Sequence, residues 1–248
     1  MAGEGKTAAA LVIGNELLSG KIADENVVVL ARTLRSLGIR LLRVDMVLDE
    51  PDVITAEVRA LAQSHDVLFT SGGVGPTHDD LTVDAVAAAF DVPVIMHPDV
   101  EAKLRGYYGD RLTEGHLRMA RVPEGAQLVV SGALPWPTMV MHNVWILPGV
   151  PQIFAAKMDV VRAELGGGTP FVSLAVLTKL DEGPLKPLLD RVVADFPEVM
   201  VGSYPRWQHP RYRTKITFDA TDDAACGAAR DAFVALLPEG ALVPGDAD

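Results

Sequence analysis

The chain contains a single cysteine and no long apolar run, and both shortages exclude classes of protein. Cys226 has no partner for an internal disulfide, and its alanine-rich surroundings predict a small packing residue rather than a nucleophile. No uninterrupted apolar stretch is long enough to span a bilayer. Because the first residues also lack the pattern of a signal peptide, we predict a cytoplasmic protein with no membrane partner.

Basic residues are scarce relative to acidic ones. The chain has 22 lysines and arginines against 33 aspartates and glutamates, which gives a formal net charge of −11. Proteins that bind nucleic acid through electrostatics need basic patches, so we expect no nucleic-acid partner, although a local basic pocket is compatible with this charge. The apolar content of 49% is ordinary for a globular protein, and 248 residues allow one large domain or a medium and a small one.

Two standard nucleotide-binding motifs are missing. Neither a Walker-type Gly-Lys-Ser/Thr nor a Gly-x-Gly-x-x-Gly occurs, so neither a standard NTPase site nor a standard NAD site is supported. Apolar runs alternate with helical patterns through about the first 90 residues. That alternation predicts an α/β fold with parallel strands and helical crossovers. The predicted strands cover residues 8–13, 39–48 and 67–71, and the predicted helices cover residues 27–37 and 52–64.

Residues 166–170, Gly-Gly-Gly-Thr-Pro, form the predicted domain boundary, because three glycines and a proline cannot continue a helix. We therefore predict two domains, residues 1–167 and residues 170–248. The second is predicted to be a small α+β domain with the element order β-α-β-β-α. In the first, residues 113–121 are predicted as a short helix and residues 139–147 as one strand.

The most informative segment is a glycine-rich turn at residues 71–82, Ser-Gly-Gly-Val-Gly-Pro-Thr-His-Asp-Asp-Leu-Thr. It joins a predicted strand to a predicted helix, which presents bare backbone N–H groups and a helix dipole to an anion such as phosphate. Asp79 and Asp80 would repel a bare phosphate but favour one that arrives with a divalent cation. Thr77 and Asp80 also have the spacing of a capping box, so a purely structural turn is the alternative. Against that alternative, Asp79, Asp80 and Asp84 are more acids than one cap needs.

Polar residues also follow the other predicted strands. Asn15, Glu16, Ser19 and Gly20 come after the first strand, and Asp49 comes after the second. In an open parallel sheet, the loops at the carboxyl ends of the strands form the ligand-binding crevice. Glu16 and Asp49 are therefore candidate metal ligands, and the other three are candidate contacts to metal or phosphate. The alternatives are a plain surface loop and an ordinary turn residue.

Four ordered motifs carry a family resemblance. They are Ile-Gly-Asn-Glu-Leu-Leu-Ser-Gly at residues 13–20 with Asn26 in the next helix, Asp49, residues 72–82, and Leu-Pro-Gly-Val-Pro at residues 147–151. Together they resemble the molybdopterin-binding (MoaB/Mog-type) domain family over roughly residues 7–165, in particular the N-terminal region of the competence/damage-inducible protein CinA and a domain of some eukaryotic FAD synthases. The resemblance implies a three-layer α/β/α fold with a mostly parallel sheet. Residues 171–245 resemble the small KH-like domain that follows in CinA proteins.

The resemblance implies three alternative functions. The first is divalent-metal-dependent hydrolysis of a nucleotide pyrophosphate of the ADP-ribose or FAD class. The second is molybdopterin binding or adenylyl transfer in molybdenum cofactor biosynthesis, and the third is a non-catalytic ligand-binding module. A homo-oligomer, either a dimer or a trimer, is also expected, with a nucleotide or pterin phosphate as the small-molecule ligand.

For the hydrolase, the resemblance implies a division of roles among the residues named above. Asp79 and Asp80 are the predicted catalytic residues, and with Glu16 and Asp49 they are the predicted ligands of Mg²⁺ or another divalent cation. The predicted substrate and phosphate contacts are Gly14, Asn15, Ser19, Gly20, Asn26, Ser71, Gly72, Gly73, Gly75, Thr77, Pro148 and Gly149.

The chain also departs from the family pattern. The family usually has aspartate where this chain has Asn15, and an amide binds a divalent cation more weakly than a carboxylate. No counterpart of the C-terminal deamidase domain of CinA occurs in these 248 residues, so deamidation of nicotinamide mononucleotide is not implied. The KH-like region lacks the Gly-X-X-Gly loop of nucleic-acid-binding KH modules. Its basic and aromatic patch is therefore predicted to serve packing, dimerisation or phosphate contact rather than RNA binding; its members are Arg206, Trp207, His209, Arg211, Tyr212 and Arg213.

Overall fold

The computed structural model describes residues 5–130 and 136–245. The chain divides into two compact units, the first ending at Gly168 and the second beginning at Thr169. Each unit has its own apolar core and its own sheet, and each is described separately. Within the described ranges, no helix has both the length and the apolar character needed to cross a bilayer.

The first unit is built around a mixed, mostly parallel sheet. Its strands are β1 (Thr7–Ile13), β2 (Arg40–Val47), β3 (Val67–Ser71), β4 (Val94–Met96), β5 (Arg121–Pro123), β6 (Gln127–Val129), β7 (Thr138–Met141) and β8 (Val144–Leu147). Among the described residues, the main sheet has the order β2-β1-β3-β8-β7-β6, and β4 pairs with β5 in a separate ribbon. Strands β2, β1, β3 and β8 are mutually parallel, whereas β7 pairs antiparallel with both β8 and β6. The predicted α/β fold with a mostly parallel sheet is thus confirmed.

Helices cover both faces of this sheet. They are α1 (Asn15–Leu18), α2 (Asn26–Ser36), α3 (Pro51–Ser64), α4 (Thr82–Ala89), α5 (Pro98–Tyr108), α6 (Glu114–Arg118) and α7 (Pro151–Leu165). One apolar cluster packs α2 and α7 on one face and includes Leu34 and Phe154. A second packs α3 and α4 on the other face and includes Val58 and Val86. Because β1 contributes residues alternately to both clusters, it reads in the sequence as an unbroken apolar run.

Two predicted elements of the middle region were wrong. Residues 139–147, predicted as one strand, form the hairpin of β7 and β8, which turns at His142 with a φ of 53°. Asn143 fixes this turn by donating its side-chain N–H groups to the carbonyl oxygens of Ala62 and His65, at 2.9 and 3.0 Å. The break in the apolar run is only the polar pair His142-Asn143, which lacks the glycine that usually marks a two-residue hairpin, so the pattern predicts a single strand. The predicted helix 113–121 ends at Arg118, and β5 begins at Arg121.

A buried lysine lies in the core between α7 and the start of β7. Lys157 is only 4% exposed and donates a hydrogen bond to the carbonyl oxygen of Trp136. Burial, helped by the positive charge of Lys103, lowers the pKa of Lys157 from 10.5 to about 8. Between these two pH values the unfolded chain binds a proton that the folded chain does not, so stability rises with pH in this window.

We expect Lys157→Met to raise the free energy of unfolding at pH 7 by about 2 kcal/mol. Removing the buried ammonium removes a destabilisation of about 3 kcal/mol. Losing its hydrogen bond lowers the stability by about 1 kcal/mol. The gain should shrink between pH 7 and pH 10, where the wild-type lysine loses its charge on folding. Urea denaturation at both pH values measures this, with the exposed Lys21→Met as the matched control. A gain of the same size at both pH values would contradict the explanation.

The second unit is a sheet with helices on one face. Its elements are β9 (Val172–Thr178), α8 (Glu182–Asp195), β10 (Met200–Pro205), β11 (Thr214–Ala220), α9 (Asp223–Leu236) and β12 (Leu242–Val243). The antiparallel sheet has the order β10-β11-β9-β12, and its core includes Ile216, Phe218 and Phe233. The β-α-β-β-α order matches the prediction and the short β12 was missed, while the KH-like assignment stays a prediction. Cys226 is buried in this core as predicted, and burial raises the pKa of its thiol.

Candidate functional site

The parallel strands of the first unit end together at one edge of the sheet. Ile13 of β1 is in register with Val47 of β2, and Ser71 of β3 is in register with Val12 of β1 and Leu147 of β8. The loops that follow these four strands therefore lie side by side. We call them the strand-end site; they comprise residues 14–20, 48–50, 72–81 and 148–150.

The glycine-rich turn depends on two backbone positions that a larger residue could not occupy. Gly72 has a φ of 107° and Gly73 a φ of 65°. A Cβ atom on Gly72 would lie 2.2 Å from the carbonyl oxygen of Ile13, and one on Gly73 would lie 2.3 Å from Oγ1 of Thr82. The buried Thr82 hydroxyl donates to the carbonyl oxygen of Gly72 at 2.7 Å. Conformation and packing thus both require glycine here.

The backbone N–H groups of the turn are not all free for a phosphate. The N–H of Gly72 donates to the carbonyl oxygen of Leu147 at 3.2 Å, so this predicted phosphate donor belongs to the sheet. Among the described residues, no backbone acceptor takes the N–H groups of Gly73 and Gly75. A Cβ atom on Gly75 would lie 2.5 Å from Oδ2 of Asp80, which shows how closely this carboxylate approaches the backbone.

The predicted pairing of Thr77 with Asp80 is present in part, but it caps no helix, because α4 begins later, at Thr82. As a capping box requires, Oδ2 of Asp80 accepts from the Thr77 N–H at 2.7 Å, and it also lies 2.5 Å from the Thr77 hydroxyl oxygen. The same hydroxyl lies 2.6 Å from Oδ1 of Asp79, so both carboxylates converge on one side chain. The hydrogen bond from Thr77 lowers the pKa of Asp79, which keeps this carboxylate ionised.

Asn15 and Asp49 bind each other across the ends of β1 and β2. The backbone N–H of Asn15 donates to Oδ2 of Asp49 at 2.8 Å, and the backbone N–H of Asp49 donates to the side-chain oxygen of Asn15 at 3.3 Å. Asn15 therefore joins two loops, and its oxygen is already engaged by a backbone donor. Burial raises the pKa of Asp49, and the negative charges of Glu16, Asp79 and Asp80 raise it further. These four acids thus share one electrostatic environment.

The four acids do not form a preassembled metal cage. Among the described residues, no group of three or more histidine, cysteine, aspartate or glutamate side chains could hold a metal ion together. Mg²⁺ is commonly bound by only one or two carboxylates, with water and substrate phosphate oxygens completing the octahedron. The adjacent oxygens of Asp79 and Asp80 fit that mode. The carboxylate of Glu16 folds back over Gly14, where a Cβ atom would meet its Oε1 at 2.7 Å.

Asn26 joins the start of α2 to the end of β3 and to the loop after β8. It lies at the start of α2, is 4% exposed, and donates to Oγ of Ser71 at 2.9 Å and to the carbonyl oxygen of Gly149 at 2.8 Å. A Cβ atom on Gly149 would in turn lie 3.2 Å from Cα of Gly72, so Pro148 and Gly149 follow β8 directly against the turn. Asn26, predicted as a substrate contact, thus positions the loops after β3 and β8.

We expect Asn26→Ala to lower the free energy of unfolding by about 2 kcal/mol. The substitution removes two hydrogen bonds at once, to the buried hydroxyl of Ser71 and to the carbonyl oxygen of Gly149, and each bond is worth about 0.5–1.5 kcal/mol. Ser71→Ala removes only the hydroxyl partner and should cost about 1 kcal/mol. Chemical denaturation measures both values. If the two variants lose equal stability, the bond to Gly149 is not the important one.

Ser19 and Gly20 lie in the loop that follows β1. The hydroxyl of Ser19 donates to the carbonyl oxygen of Glu16 at 3.1 Å, which closes the turn after α1. Gly20 has a φ of 71° and open space around it. Both residues are exposed, and their contact with phosphate stays a prediction.

Sequence reasoning missed two arginines beside the glycine-rich turn. A cavity of about 20 Å³ adjoins Gly73, Gly75 and Asp80 and is also lined by Arg118 and Arg121. Arg121 forms a two-pronged ion pair with Asp84, one bond of which is 2.9 Å long. The charge of Asp84 is thus compensated by an arginine. No local signal could have revealed this pair, because 37 residues separate its members.

Comparison with known proteins places this site in a family. A family model described as "Probable molybdopterin binding domain" matches residues 9–165, which include all four loops of the strand-end site. The chain belongs to this molybdopterin-binding domain family. A second model, "FAD synthase, middle domain", matches residues 170–246.

Individual relatives agree with the family assignment. A "Probable FAD synthase" of Caenorhabditis briggsae is 32% identical over 262 residues, covering 95% of this chain and 50% of the relative. A "CinA-like protein" of Desulfosudis oleivorans is 35% identical over 180 residues, covering 68% of this chain and 44% of the relative. The chain thus spans about half the length of these curated relatives.

A solved structure supports the same conclusion for the fold. The crystal structure of a Thermoplasma acidophilum protein, named CinA and described as of unknown function, superposes with a TM-score of 0.60 at 28% identity. The likeness covers 65% of this chain and 99% of that one. The predicted resemblance to the MoaB/Mog-type and CinA proteins is therefore confirmed, and it leaves the reaction itself open.

Proposed function

We propose that the strand-end site hydrolyses the pyrophosphate bond of a nucleotide of the ADP-ribose or FAD class, with Mg²⁺ or another divalent cation as cofactor. The observation that carries this proposal is the juxtaposition of unpaired turn N–H groups at Gly73 and Gly75 with the paired carboxylates of Asp79 and Asp80. The first suits a phosphate and the second suits the cation that accompanies it. The kinship with proteins named as FAD synthases supports a nucleotide ligand.

In this proposal the residues divide the work as follows. The N–H groups of Gly73 and Gly75 bind phosphate oxygens, and Asp79 and Asp80 hold the cation or orient the attacking water. A bound divalent cation offsets negative charge on the pyrophosphate and lowers the pKa of water. Arg118, beside the turn, adds a positive charge for the second phosphate. Water adds to one phosphorus, the bond from that phosphorus to the bridging oxygen breaks, and the oxygen leaves with a proton; ADP-ribose then yields AMP and ribose 5-phosphate.

Two alternative functions use the same arrangement. Molybdopterin binding, with or without adenylyl transfer, is supported by the description of the family. Asn15 supports a non-catalytic binding module. Its side-chain oxygen accepts a hydrogen bond from the backbone N–H of Asp49, and its amide adds no negative charge that could hold a cation for turnover. Asp49 and Glu16 would then shape the electrostatics of a binding pocket rather than support turnover.

The deciding experiment incubates the full chain with ADP-ribose or FAD, in Mg²⁺ or in EDTA, and quantifies AMP by chromatography. The proposal expects AMP release in Mg²⁺ and its loss in EDTA. Nucleotide binding by calorimetry without AMP release would overturn the hydrolase and leave the binding module. Transfer of AMP from ATP to molybdopterin, with no hydrolysis of ADP-ribose or FAD, would instead support the adenylyl transferase.

A further inference from the structure

Within the described part of the second unit, α8 and α9 pack on the same face of the sheet, and no helix covers the opposite face. Ile216 and Phe218 of β11 point into the core beneath α8 and α9, so the intervening residues Lys215 and Thr217 point to the opposite face. On β10, Tyr204 pairs with Lys215 and Gly202 pairs with Thr217, which places them on that same face. This face therefore combines an aromatic ring, a cation and small residues.

The ring of Tyr204 lies against Gly202. A Cβ atom on Gly202 would come within 2.8 Å of a ring carbon and 2.9 Å of the phenol oxygen. Gly202 has no left-handed backbone conformation, so the requirement for glycine here is space for the ring. Tyr204 is 52% exposed, and its outer face is available for stacking.

Trp207 lies in the turn after β10 and is 88% exposed. An indole is the largest apolar side chain, and its exposure to water is unfavourable. Packing within the fold therefore does not account for the position of Trp207. Two grooves, of about 260 and 450 Å³, adjoin each other here and share Pro205 and Arg206. Trp207 lines the smaller groove and Tyr204 the larger. Together they reach the size of small-molecule sites.

Basic side chains line both grooves. Arg206 and Arg213 line the smaller groove together with Asp181 and Glu182, and Arg206 and Lys215 line the larger. Within residues 5–130 and 136–245, none of these three side chains has a carboxylate at ion-pair distance. The nearby Glu182 accepts from the hydroxyl of Ser203 at 3.1 Å instead. In a chain of net charge −11, these three cations outnumber the two acids that line the grooves, and beside two exposed rings they favour an anionic aromatic ligand.

We propose that this surface, the Tyr204–Trp207 platform, is a second binding site for a free nucleotide. The base stacks on Trp207 or Tyr204, and Arg206, Arg213 and Lys215 bind the phosphate. Stacking on exposed aromatic rings beside cations is how sheet surfaces hold unpaired bases. We choose a free nucleotide over a nucleic-acid strand because the acidic remainder of the chain repels a long polyanion. The proposal is independent of the chemistry at the strand-end site.

Trp207 emission provides a local test in the full chain. The chain has three tryptophans, so the difference between the emission of the wild type and that of Trp207→Phe isolates Trp207. AMP, inorganic phosphate and a single-stranded octanucleotide are titrated separately, in EDTA. We expect AMP to quench this difference emission saturably and inorganic phosphate to compete with it. The double variant Arg206→Gln/Arg213→Gln should weaken the binding of AMP at least about tenfold, because it removes two charge-assisted hydrogen bonds to the phosphate.

The matched control is Arg191→Gln, which removes the same charge from an exposed position on α8 and should leave the affinity for AMP unchanged. Failure of AMP to alter Trp207 emission would overturn the proposal, as would equal weakening by the control. An octanucleotide that binds more than about tenfold tighter than AMP would identify a nucleic-acid surface instead. Gel filtration of Trp207→Glu adds a further outcome: conversion of a dimer to a monomer would assign the platform to a second copy of the chain.

Discussion

Gly72→Ala is expected to lower the free energy of unfolding of the first unit by about 4 kcal/mol and to abolish ligand binding at the strand-end site. The new methyl group would lie 2.2 Å from the carbonyl oxygen of Ile13. This oxygen belongs to the backbone of β1, an interior strand of the sheet, and cannot move aside as a flexible side chain could. The φ of 107° is also unfavourable for any residue with a Cβ atom. Backbone strain of about 1–3 kcal/mol therefore adds to an overpacking cost of similar size.

Urea denaturation of the variant and the wild type measures this loss. Gly125→Ala is the matched control, because Gly125 also has a positive φ, of 84°, but a methyl group there would meet no atom within 4 Å beyond its chain neighbours. It should cost only the strain, about 1–2 kcal/mol. Similar losses for the two alanine variants would mean that the contact between the turn and β1 contributes nothing beyond local conformation.

Asp80→Asn is expected to reduce Mg²⁺-dependent release of AMP by at least about 100-fold while leaving the fold intact. The asparagine oxygen can still accept from the backbone N–H of Thr77, so the turn keeps its shape. The negative charge beside the cation is lost, and removing one electrostatic contact of an active site typically costs about 10²–10³ in rate. The measurement is the initial rate of AMP formation at saturating Mg²⁺, with the melting temperature as the check on folding.

The control for Asp80→Asn is Asp99→Asn, which makes the same chemical change at an exposed position in the first turn of α5. That variant should keep the wild-type rate. Full activity of Asp80→Asn would show that its assigned metal role is wrong, even if the chain is a hydrolase. Recovery of activity at higher Mg²⁺ concentration would place the loss in cation affinity rather than in the reaction itself.

Local signals in the sequence were sufficient for the frame of the fold. Apolar runs followed by glycine predicted β1 and β3, and the helical patterns predicted α2 and α3. Residues 139–147 escaped this reasoning because only two polar residues, His142 and Asn143, separate the strands of the hairpin, and neither is the glycine that usually marks such a turn. Short strands such as β12 escaped it because two residues show no periodicity.

The sequence predicted where the candidate site lies in the fold but not which residues contact each other within it. Parallel strands bring their carboxyl ends together, so Asn15, Asp49 and the glycine-rich turn were expected at one edge. Their individual partners were not predictable. Asn15 holds Asp49 from 34 residues away, Asn26 holds Gly149 from 123 residues away, and the charge of Asp84 is compensated by Arg121.

The sequence by itself determined the α/β frame, the position of the glycine-rich turn and the family, because each depends on spacing along a short stretch of chain. Only the tertiary structure decided which polar atoms remain available. It showed the Gly72 N–H committed to the sheet and Asp79 and Asp80 both turned onto Thr77. The physical reason is that a hydrogen bond is made by neighbours in space, and a sheet brings together residues that its strands keep far apart in sequence.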